Sequence, residues 1–381
     1  MPDEYIPFSK PTLLGTEQKA VNDCILSGEL SSGSRYTREV CKEISKITGS
    51  AHVRFLHSCT AALETIFIAL KIKPGDEIIM PSFTFTSTAT SVALRNATPV
   101  FVDVEANTMN IDPNRLQEAI TEKTKAIVVV HYAGNGANLD SILEIARHNC
   151  IPVIEDAAQG IGALYNGKHL GTIGDFGAIS FHSTKNINCS EGGALLINNT
   201  NYLEKIDIII EKGTNRTAFS NKEVDKYNWL DIGSSFIASE LSAAFLIAQL
   251  KALQDVTKAK LLLWEEYHRI FSQVQSLPFK LPETQQKSGH NGHIYYVTLD
   301  RKIDRKDLLQ RLYGKKIQAT SHYEPLHLSP AGLKLCKTSG TLKITEEQSQ
   351  QLIRLPCWYG MSVTDIKRVA NCLIASCNDL I

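Results

Sequence analysis

Apolar and polar positions follow two alternating patterns from residue 73 onwards. Short runs rich in Val, Ile and other β-prone residues predict four buried strands, at 77–80, 99–104, 125–131 and 151–155. Between these runs, apolar residues recur every three or four positions and predict helices at 86–95, 113–121 and 141–149. Strands and helices that take turns at this spacing are typical of a mostly parallel sheet with helices on both faces. The pattern therefore predicts an α/β protein.

Further elements are predicted on both sides of this region: helices at 16–26, 37–47 and 61–70, and a strand at 176–181. A helical stretch begins at Ser239 and continues past residue 255 towards Val274, and we interpret it as the bridge to a smaller domain. Beyond it, strand and helix patterns occur without strict alternation, at 293–299 and 305–313. We therefore predict a large α/β domain over 1–250 and a small α+β domain over 251–381.

The composition narrows the functional classes. The 381 residues are 43% hydrophobic, enough to bury a substantial core, and 40 basic residues balance 40 acidic ones. No basic run supports binding to nucleic acid or a membrane surface, and no apolar stretch reaches the about 18 residues that a spanning helix needs. Nine scattered cysteines, with no Cys-x-x-Cys pair, favour free thiols and argue against zinc. With no signal peptide recognised, we expect a soluble cytoplasmic protein that binds no metal.

A lysine and an aspartate follow two of the predicted strands. Lys185 comes shortly after the strand at 176–181, and Asp156 directly follows the strand at 151–155. The carboxyl ends of strands in an open α/β sheet border the crevice that binds ligands. Pyridoxal 5'-phosphate (PLP) needs such a pair, because a lysine carries the cofactor and an acid keeps its ring nitrogen protonated. Taken alone, Lys185 would be interpreted as a solvated lysine, because buried lysines are rare without a partner.

A predicted helix N-terminus offers an anion site. Ser58, Cys59 and Thr60 precede the helix at 61–70. The first amides of a helix lack partners within the helix and carry partial positive charge, so they can hold a phosphate. An ordinary Ser/Thr cap is the alternative interpretation. The glycine- and serine-rich turn at 27–33 is similarly either a connector or a loop over a ligand.

Several motifs in order resemble the DegT/DnrJ/EryC1/StrS family of sugar-nucleotide aminotransferases. The likeness extends from about Ile6 almost to the C-terminus, and the matching segments are 58–64, 74–85, 131–134, 155–159, 180–185, 211–216 and 225–227. The resemblance implies a PLP-dependent aminotransferase of fold type I with a mostly parallel central sheet. It also implies L-glutamate as the amino donor and a nucleotide sugar as the substrate.

The resemblance also implies a set of cofactor contacts. Lys185 carries PLP and Asp156 pairs with its ring nitrogen. The other expected contacts are Cys59, Thr60 and Ser180 on the phosphate, Phe85 stacked on the ring, and Gln159 on the ring-oxygen side. Many family members have an asparagine where this chain has Ser235, and that residue reaches the phosphate bound to a neighbouring subunit. A serine can still donate one hydrogen bond, so the resemblance implies a homodimer with shared active sites.

The substrate assignment depends on the same resemblance. The residues expected near the nucleotide sugar are Lys212, Arg216, Lys226, Tyr227, His322, Tyr323 and His327. Any of them could instead be a surface charge or a structural residue. The best-matching members aminate C4 of dTDP-4-dehydro-6-deoxy-D-glucose to give dTDP-4-amino-4,6-dideoxy-D-galactose for bacterial surface polysaccharide. The alternatives are the gluco epimer of that product, a 3-keto sugar and a UDP-linked sugar.

Two other classes of protein share the fold. In a related PLP-dependent sugar dehydratase a histidine replaces the lysine, so Lys185 argues against that activity. A non-catalytic sugar-binding relative would have no need for Asp156, Gln159 and Ser180 together with that lysine. We therefore expect an aminotransferase.

Overall fold

The computed structural model describes residues 4–380. Within these residues the strands are β1 Val53–Leu56, β2 Glu77–Pro81, β3 Thr98–Val102, β4 Thr124–Val130, β5 Val153–Asp156, β6 Leu164–Tyr165, β7 Lys168–His169, β8 Phe176–Ser180, β9 Gly193–Ile197, β10 Phe279–Lys280, β11 Ser288–Gly289, β12 Tyr295–Leu299, β13 Thr320–Ser321, β14 Lys337–Thr338 and β15 Leu352–Leu355.

The α-helices of the described residues are α1 Glu17–Ser27, α2 Arg35–Thr48, α3 Cys59–Ala69, α4 Thr86–Ala93, α5 Pro113–Ala119, α6 Leu139–His148, α7 Leu203–Ile210, α8 Arg216–Ser220, α9 Glu240–Lys251, α10 Leu253–Ser272, α11 Arg305–Gly314, α12 Pro330–Leu335, α13 Lys343–Gln351 and α14 Val363–Asn378. Short 3₁₀ turns lie at Tyr132–Gly134, Thr200–Tyr202 and Leu326–Leu328. The predicted strands and helices are confirmed to within a few residues at their ends.

The central sheet has eight strands in the order β1-β9-β8-β5-β4-β2-β3-β14. All neighbours from β8 to β14 are parallel, whereas β9 is antiparallel to both β8 and β1. Parallel strands must be joined by crossovers, which the intervening helices provide. The predicted mostly parallel α/β fold is therefore confirmed.

Both faces of this sheet are buried. On β2, Ile79 lies in the core beneath α1, α2, α5, α6 and α9, while Ile78 and Met80 lie in the core beneath α3, α4 and α7. On β4, Val129 lies in the first of these cores and Val128 lies in the second. Successive side chains of a strand point to opposite faces, so a sheet covered on both faces needs unbroken apolar strands. This burial explains the continuous apolar runs of the sequence.

The second domain contains a small antiparallel sheet in the order β10-β12-β15-β13. Its core includes Phe271 of α10, Tyr295 of β12 and Ile353 of β15. Two segments cross the predicted boundary. Ile6 packs in this small core, and β14 pairs with β3 of the large sheet. The division into 1–250 and 251–381 remains a prediction.

The long helix predicted from residue 239 towards 274 is wrong in one respect, because it is two helices. Ala252, with φ −100° and ψ 6°, separates α9 from α10. Leu246 and Leu250 of α9 pack in the large core, while Tyr267 and Phe271 of α10 pack in the small one. Leu253 and Val256 at the start of α10 still pack in the large core, so the chain passes from the large core to the small one along α10.

Residues 4–380 contain no helix long and apolar enough to cross a bilayer. The same residues contain no cluster of His, Cys, Asp and Glu side chains arranged to hold a metal ion. All nine cysteines are unpaired in the described part of the chain.

Candidate active site

Two neighbouring parallel strands place the predicted lysine and aspartate at one cavity. Asp156 is the last residue of β5 and pairs in register with Ala178 of β8. Lys185 lies in the turn that follows β8, where its backbone N–H donates to the carbonyl oxygen of His182 at 2.9 Å. Both side chains line a cavity of about 690 Å³ at the carboxyl edge of the sheet. The structure thus brings together the two residues on which the sequence argument depended.

Asp156 is held in a fixed orientation. Its side chain is 6% exposed. Its Oδ2 accepts from the Thr88 hydroxyl at 2.8 Å and its Oδ1 from the Ala158 N–H at 3.2 Å. Burial raises the pKa of Asp156, while these hydrogen bonds and the charge of Lys185 oppose the rise. A protonated ring nitrogen would supply the counterion that this buried carboxylate lacks.

The surroundings of Lys185 make its amine easier to deprotonate than it is in water. Removal from water lowers the pKa of its amine, and the positive charge of Arg354 lowers it further, whereas the carboxylate of Asp156 acts in the other direction. A lysine becomes a nucleophile only as the neutral amine. The cavity therefore favours the form of Lys185 that can attack a carbonyl carbon.

A buried cluster of hydrogen bonds holds the end of β5. Glu155 accepts from His131 Nε2 at 2.9 Å and from the amides of Gly171, Ile173 and Gly174 at 2.8, 2.7 and 2.6 Å. Burial raises the pKa of Glu155, but the bonds from His131 and the backbone more than offset it, so the pKa is lowered. The carboxylate next to Asp156 in the chain therefore ties β5 to the loop that enters β8.

The N-terminus of α3 borders the same cavity. Ser58 caps the helix by accepting from the Ala61 N–H at 3.0 Å, and Cys59 and Thr60 form its first turn and line the cavity. A Cβ on Gly193 of β9 would lie 2.3 Å from the Cys59 nitrogen, so only glycine fits there. Burial raises the pKa of Cys59 well above its usual value, so this thiol stays neutral and does not repel an anion.

Three more predicted cofactor contacts line the cavity. Ser180 ends β8 and is buried. Phe85 immediately precedes α4 and is 59% exposed although it is apolar. Gln159 accepts from the Ala133 N–H at 2.7 Å and donates to the Tyr323 hydroxyl at 3.2 Å, so its amide positions a second cavity residue. The cavity thus combines an acid, a lysine, a helix N-terminus and an open aromatic face, and these groups fit PLP.

His322 and Tyr323 also line the cavity, with their rings stacked 3.6 Å apart. The Tyr132 hydroxyl forms a hydrogen bond with His322 Nδ1 at 2.8 Å. Burial lowers the pKa of His322 well below its usual value, so the ring is neutral. His327 does not line the cavity, because its ring bonds the Ser82 hydroxyl at 2.7 Å and Glu346 at 3.2 Å.

The remaining predicted residues lie away from the chain's own cavity. Lys212 and Arg216 approach the carboxylate of Glu211 at 3.6 and 3.5 Å. The other three are exposed: Lys226, Tyr227 and Ser235. The structure does not bring these five residues to Lys185 within one chain.

Among the cavity residues that the sequence argument missed are three basic side chains of the second domain. Lys260 is buried and donates to the carbonyl oxygens of Cys357 and His293. His293 itself bonds Asn186, the neighbour of Lys185, at 3.0 Å. Arg354 is the third. All three come from the second domain, about 75 to 170 residues further along the chain, and no local motif marks them.

The fold and this cavity define a PLP-dependent aminotransferase of fold type I. The sequence model of the DegT/DnrJ/EryC1/StrS aminotransferase family matches residues 11–374. The chain belongs to this family and is a PLP-dependent sugar aminotransferase.

Individual relatives are similar to the chain over nearly its whole length. The uncharacterized protein MJ1066 of Methanocaldococcus jannaschii is 34% identical over 376 residues, which is 97% of each chain. The aminotransferase TlmJ of Streptoalloteichus hindustanus is 27% identical with a TM-score of 0.91, over 99% of this chain and 100% of its own. Helicobacter pylori PseC, an aminotransferase involved in the biosynthesis of pseudoaminic acid, is 25% identical with a TM-score of 0.91, over the same shares.

Proposed function

We propose that this enzyme transfers the amino group of L-glutamate to C4 of dTDP-4-dehydro-6-deoxy-D-glucose. The product would be dTDP-4-amino-4,6-dideoxy-D-galactose, for bacterial surface polysaccharide synthesis. The observation that carries the aminotransferase part is the pair Lys185 and Asp156 at one cavity. The sugar is supported by the matching segments at 211–216 and 225–227.

The cavity is large enough for a cofactor and a substrate. Its walls mix aromatic and apolar side chains with hydroxyl, amide and charged groups, and its volume of about 690 Å³ lies within the range of ligand pockets. Phe85 offers a flat apolar face on one side. Tyr132 and Gln159 hold His322 and Tyr323 in place on the other. Side chains that are held in place in this way can use binding energy to orient a sugar that offers few groups for recognition.

PLP, when bound, draws electrons from the substrate carbon that carries the amino nitrogen, so that the proton on this carbon becomes acidic. Asp156 keeps the ring nitrogen protonated, and the Thr88 hydroxyl and Ala158 N–H hold its carboxylate in position. Lys185 Nζ takes the proton from the α-carbon of the donor. In the second half-reaction it returns a proton to C4 of the sugar.

This proton transfer sets the stereochemistry of the product. The face of the sugar that is turned towards Lys185 Nζ receives the proton, so the galacto and gluco epimers need no difference in residue type. The test is incubation with dTDP-4-dehydro-6-deoxy-D-glucose and glutamate, followed by NMR assignment of C4. A gluco product would correct the epimer alone. Turnover only with a UDP-linked or 3-keto sugar would overturn the substrate while leaving the aminotransferase assignment standing.

We also propose a homodimer with shared active sites. Six large apolar residues of the segment 219–232, shortly before Ser235, are exposed in the single chain: Phe219, Val224, Tyr227, Trp229, Leu230 and Ile232. Clusters of exposed apolar side chains are typical of surfaces that bind another protein. A second copy would cover this cluster and would bring Ser235, together with Lys212 and Arg216, towards the other cavity. Sedimentation measured alongside activity tests the proposal, and a fully active monomer would contradict it.

A further inference from the structure

His293 is a half-buried histidine of the second domain that has no role in the chemistry described so far. It lies just before β12 and lines the same cavity as Lys185. Its Nδ1 forms a hydrogen bond of 3.0 Å with Oδ1 of Asn186, the residue that follows Lys185. His293 therefore links the second domain to the turn that carries the lysine.

The partners of Asn186 fix the direction of this hydrogen bond. Asn186 is buried, and its Nδ2 donates to the carbonyl oxygen of Asn291 at 3.1 Å. The amide oxygen is thus the atom that meets His293, and because this oxygen can only accept, the imidazole proton lies on Nδ1. Burial lowers the pKa of His293 well below its ordinary value, and the charges of Lys185 and Lys260 act in the same direction. The ring is therefore neutral, and its single N–H holds Asn186.

The segment that carries His293 also contacts the chain beyond β5. The His293 N–H donates to Oδ1 of Asn291 at 3.1 Å. Asn291 is fully buried, and its Nδ2 donates to the carbonyl oxygen of Gln159 at 2.8 Å. Gln159 comes three residues after Asp156. One short segment of the second domain is thus bonded to the chain just after Asp156 and just after Lys185.

Strand pairing alone does not fix the lysine relative to the acid. The ladder between β5 and β8 ends at Asp156, and Lys185 follows the end of β8. Beyond this ladder, the segment 291–293 bridges the two parts of the chain through Asn186 and Gln159. A group that moves a proton must lie within about 3–3.5 Å of its target, and a misplacement of about 1 Å can cost about 100-fold in rate.

We propose that His293 is a positioning residue that holds Lys185 in place through the side chain of Asn186. Its effect is to keep the lysine in a fixed position relative to Asp156. The proposal rests on Lys185 as the lysine that carries PLP and moves the proton. His293 does not exchange protons itself, because its ring is neutral and its N–H is bound to Asn186.

Two substitutions of His293 separate positioning from a general structural role. In His293→Asn, the amide nitrogen takes the place of Nδ1 and still donates to Asn186. In His293→Gln, the amide lies one carbon further from the backbone, so this hydrogen bond is lost. The control is His148→Gln, because His148 is exposed on α6.

The first readout is the rate of each half-reaction at saturating substrate, followed by the absorbance of the cofactor. His293→Gln should slow both half-reactions about 10- to 100-fold, because Lys185 moves the proton in both, while half-saturating concentrations should change less than about threefold. His293→Asn should stay within about threefold of wild type, and His148→Gln should not differ from it. Equal losses in the two His293 variants, or a loss confined to one half-reaction, would overturn the proposal.

The second readout does not depend on turnover. The visible absorbance of the PLP-loaded enzyme, titrated with pH, gives the pKa of the nitrogen through which Lys185 carries PLP. Burial lowers the pKa of the Lys185 amine, so a lysine that is released towards water should show a higher value. The pKa should rise by about 0.5 or more in His293→Gln and stay unchanged in His293→Asn. An unchanged pKa in His293→Gln would contradict the positioning role.

Asn186→Ala gives an independent test, because it removes the same hydrogen bond from the other side. It should slow both half-reactions and raise the same pKa at least as much as His293→Gln does. Adding His293→Gln to it should slow the half-reactions by less than about twofold further, and a full product of the two losses would overturn the proposal. If borohydride labels Lys185 in the wild type and these effects are absent, only the role of His293 fails. A label on another lysine would overturn the lysine assignment as well.

Discussion

Replacing Glu155 with glutamine should destabilise the large domain strongly, although the two side chains have nearly the same shape. Glu155 accepts four hydrogen bonds in a site with no access to water. Its Oε1 accepts from the amides of Ile173 and Gly174, and its Oε2 accepts from the Gly171 amide and from the His131 ring. Glutamine has one acceptor oxygen and presents an NH₂ group in place of the other.

The magnitude follows from counting the donors that lose their acceptor. If the NH₂ group replaces Oε2, the Gly171 amide is left unpaired. His131 could accept from the new NH₂ by moving its proton to Nδ1, but then the Ala137 amide, which now donates to Nδ1 at 3.2 Å, loses its acceptor. Two buried donors are therefore unsatisfied, and at about 1–3 kcal/mol each the free energy of unfolding should fall by about 2–6 kcal/mol.

The assay is urea unfolding of the cofactor-free protein at pH 7, followed by far-UV circular dichroism at one protein concentration and extrapolated to water. The matched control is Glu144→Gln, because Glu144 is exposed on α6. The control should change the free energy of unfolding by less than about 0.5 kcal/mol. A loss below about 1 kcal/mol in Glu155→Gln would refute the reasoning.

The pH dependence gives a second check. The pKa of Glu155 is lowered in the folded protein from its ordinary value of 4.5. Stabilisation by the carboxylate is therefore fully present above that ordinary value and is lost as the pH falls through the lower folded pKa. The difference between wild type and Glu155→Gln should be constant from about pH 6 upwards and should shrink below about pH 4.

Three further outcomes are expected. Lys185→Ala should abolish turnover, and borohydride reduction with peptide mapping should place the cofactor of the wild type on Lys185, whereas a label on another lysine would refute the assignment. Asp156→Asn keeps a partner for Thr88 but removes the charge, so the half-reaction with glutamate should slow by at least about 100-fold while PLP is retained, as measured by stopped-flow absorbance. Gly193→Ala should displace the start of α3 and raise the Kd for PLP about 10- to 100-fold by fluorescence titration. In its control, Gly289→Ala, the new Cβ meets only Leu164 at 3.8 Å, and equal Kd values in both variants would contradict the close contact.

Local sequence patterns were sufficient to predict the strands and the ionisable residues at their ends. Because the sheet is buried on both faces, its strands are continuous apolar runs in the sequence. Asp156 lies at the end of one of these runs, and Lys185 follows another within a few residues. The break at Ala252 carries no glycine or proline, so no turn residue in the sequence marks it. No helical pattern could have predicted it.

By itself, the sequence determined the α/β fold, the placement of Asp156 and Lys185 at the carboxyl ends of two strands, and the helix N-terminus at Cys59. Each of these depends on residues that lie close together in the chain. Only the tertiary structure decided that Arg354 faces Lys185, that Gly193 lies against Cys59, and that His327 bonds Ser82 instead of lining the cavity. The physical reason is that periodicity reports which side of an element is buried, whereas contacts between distant segments depend on how complete elements pack.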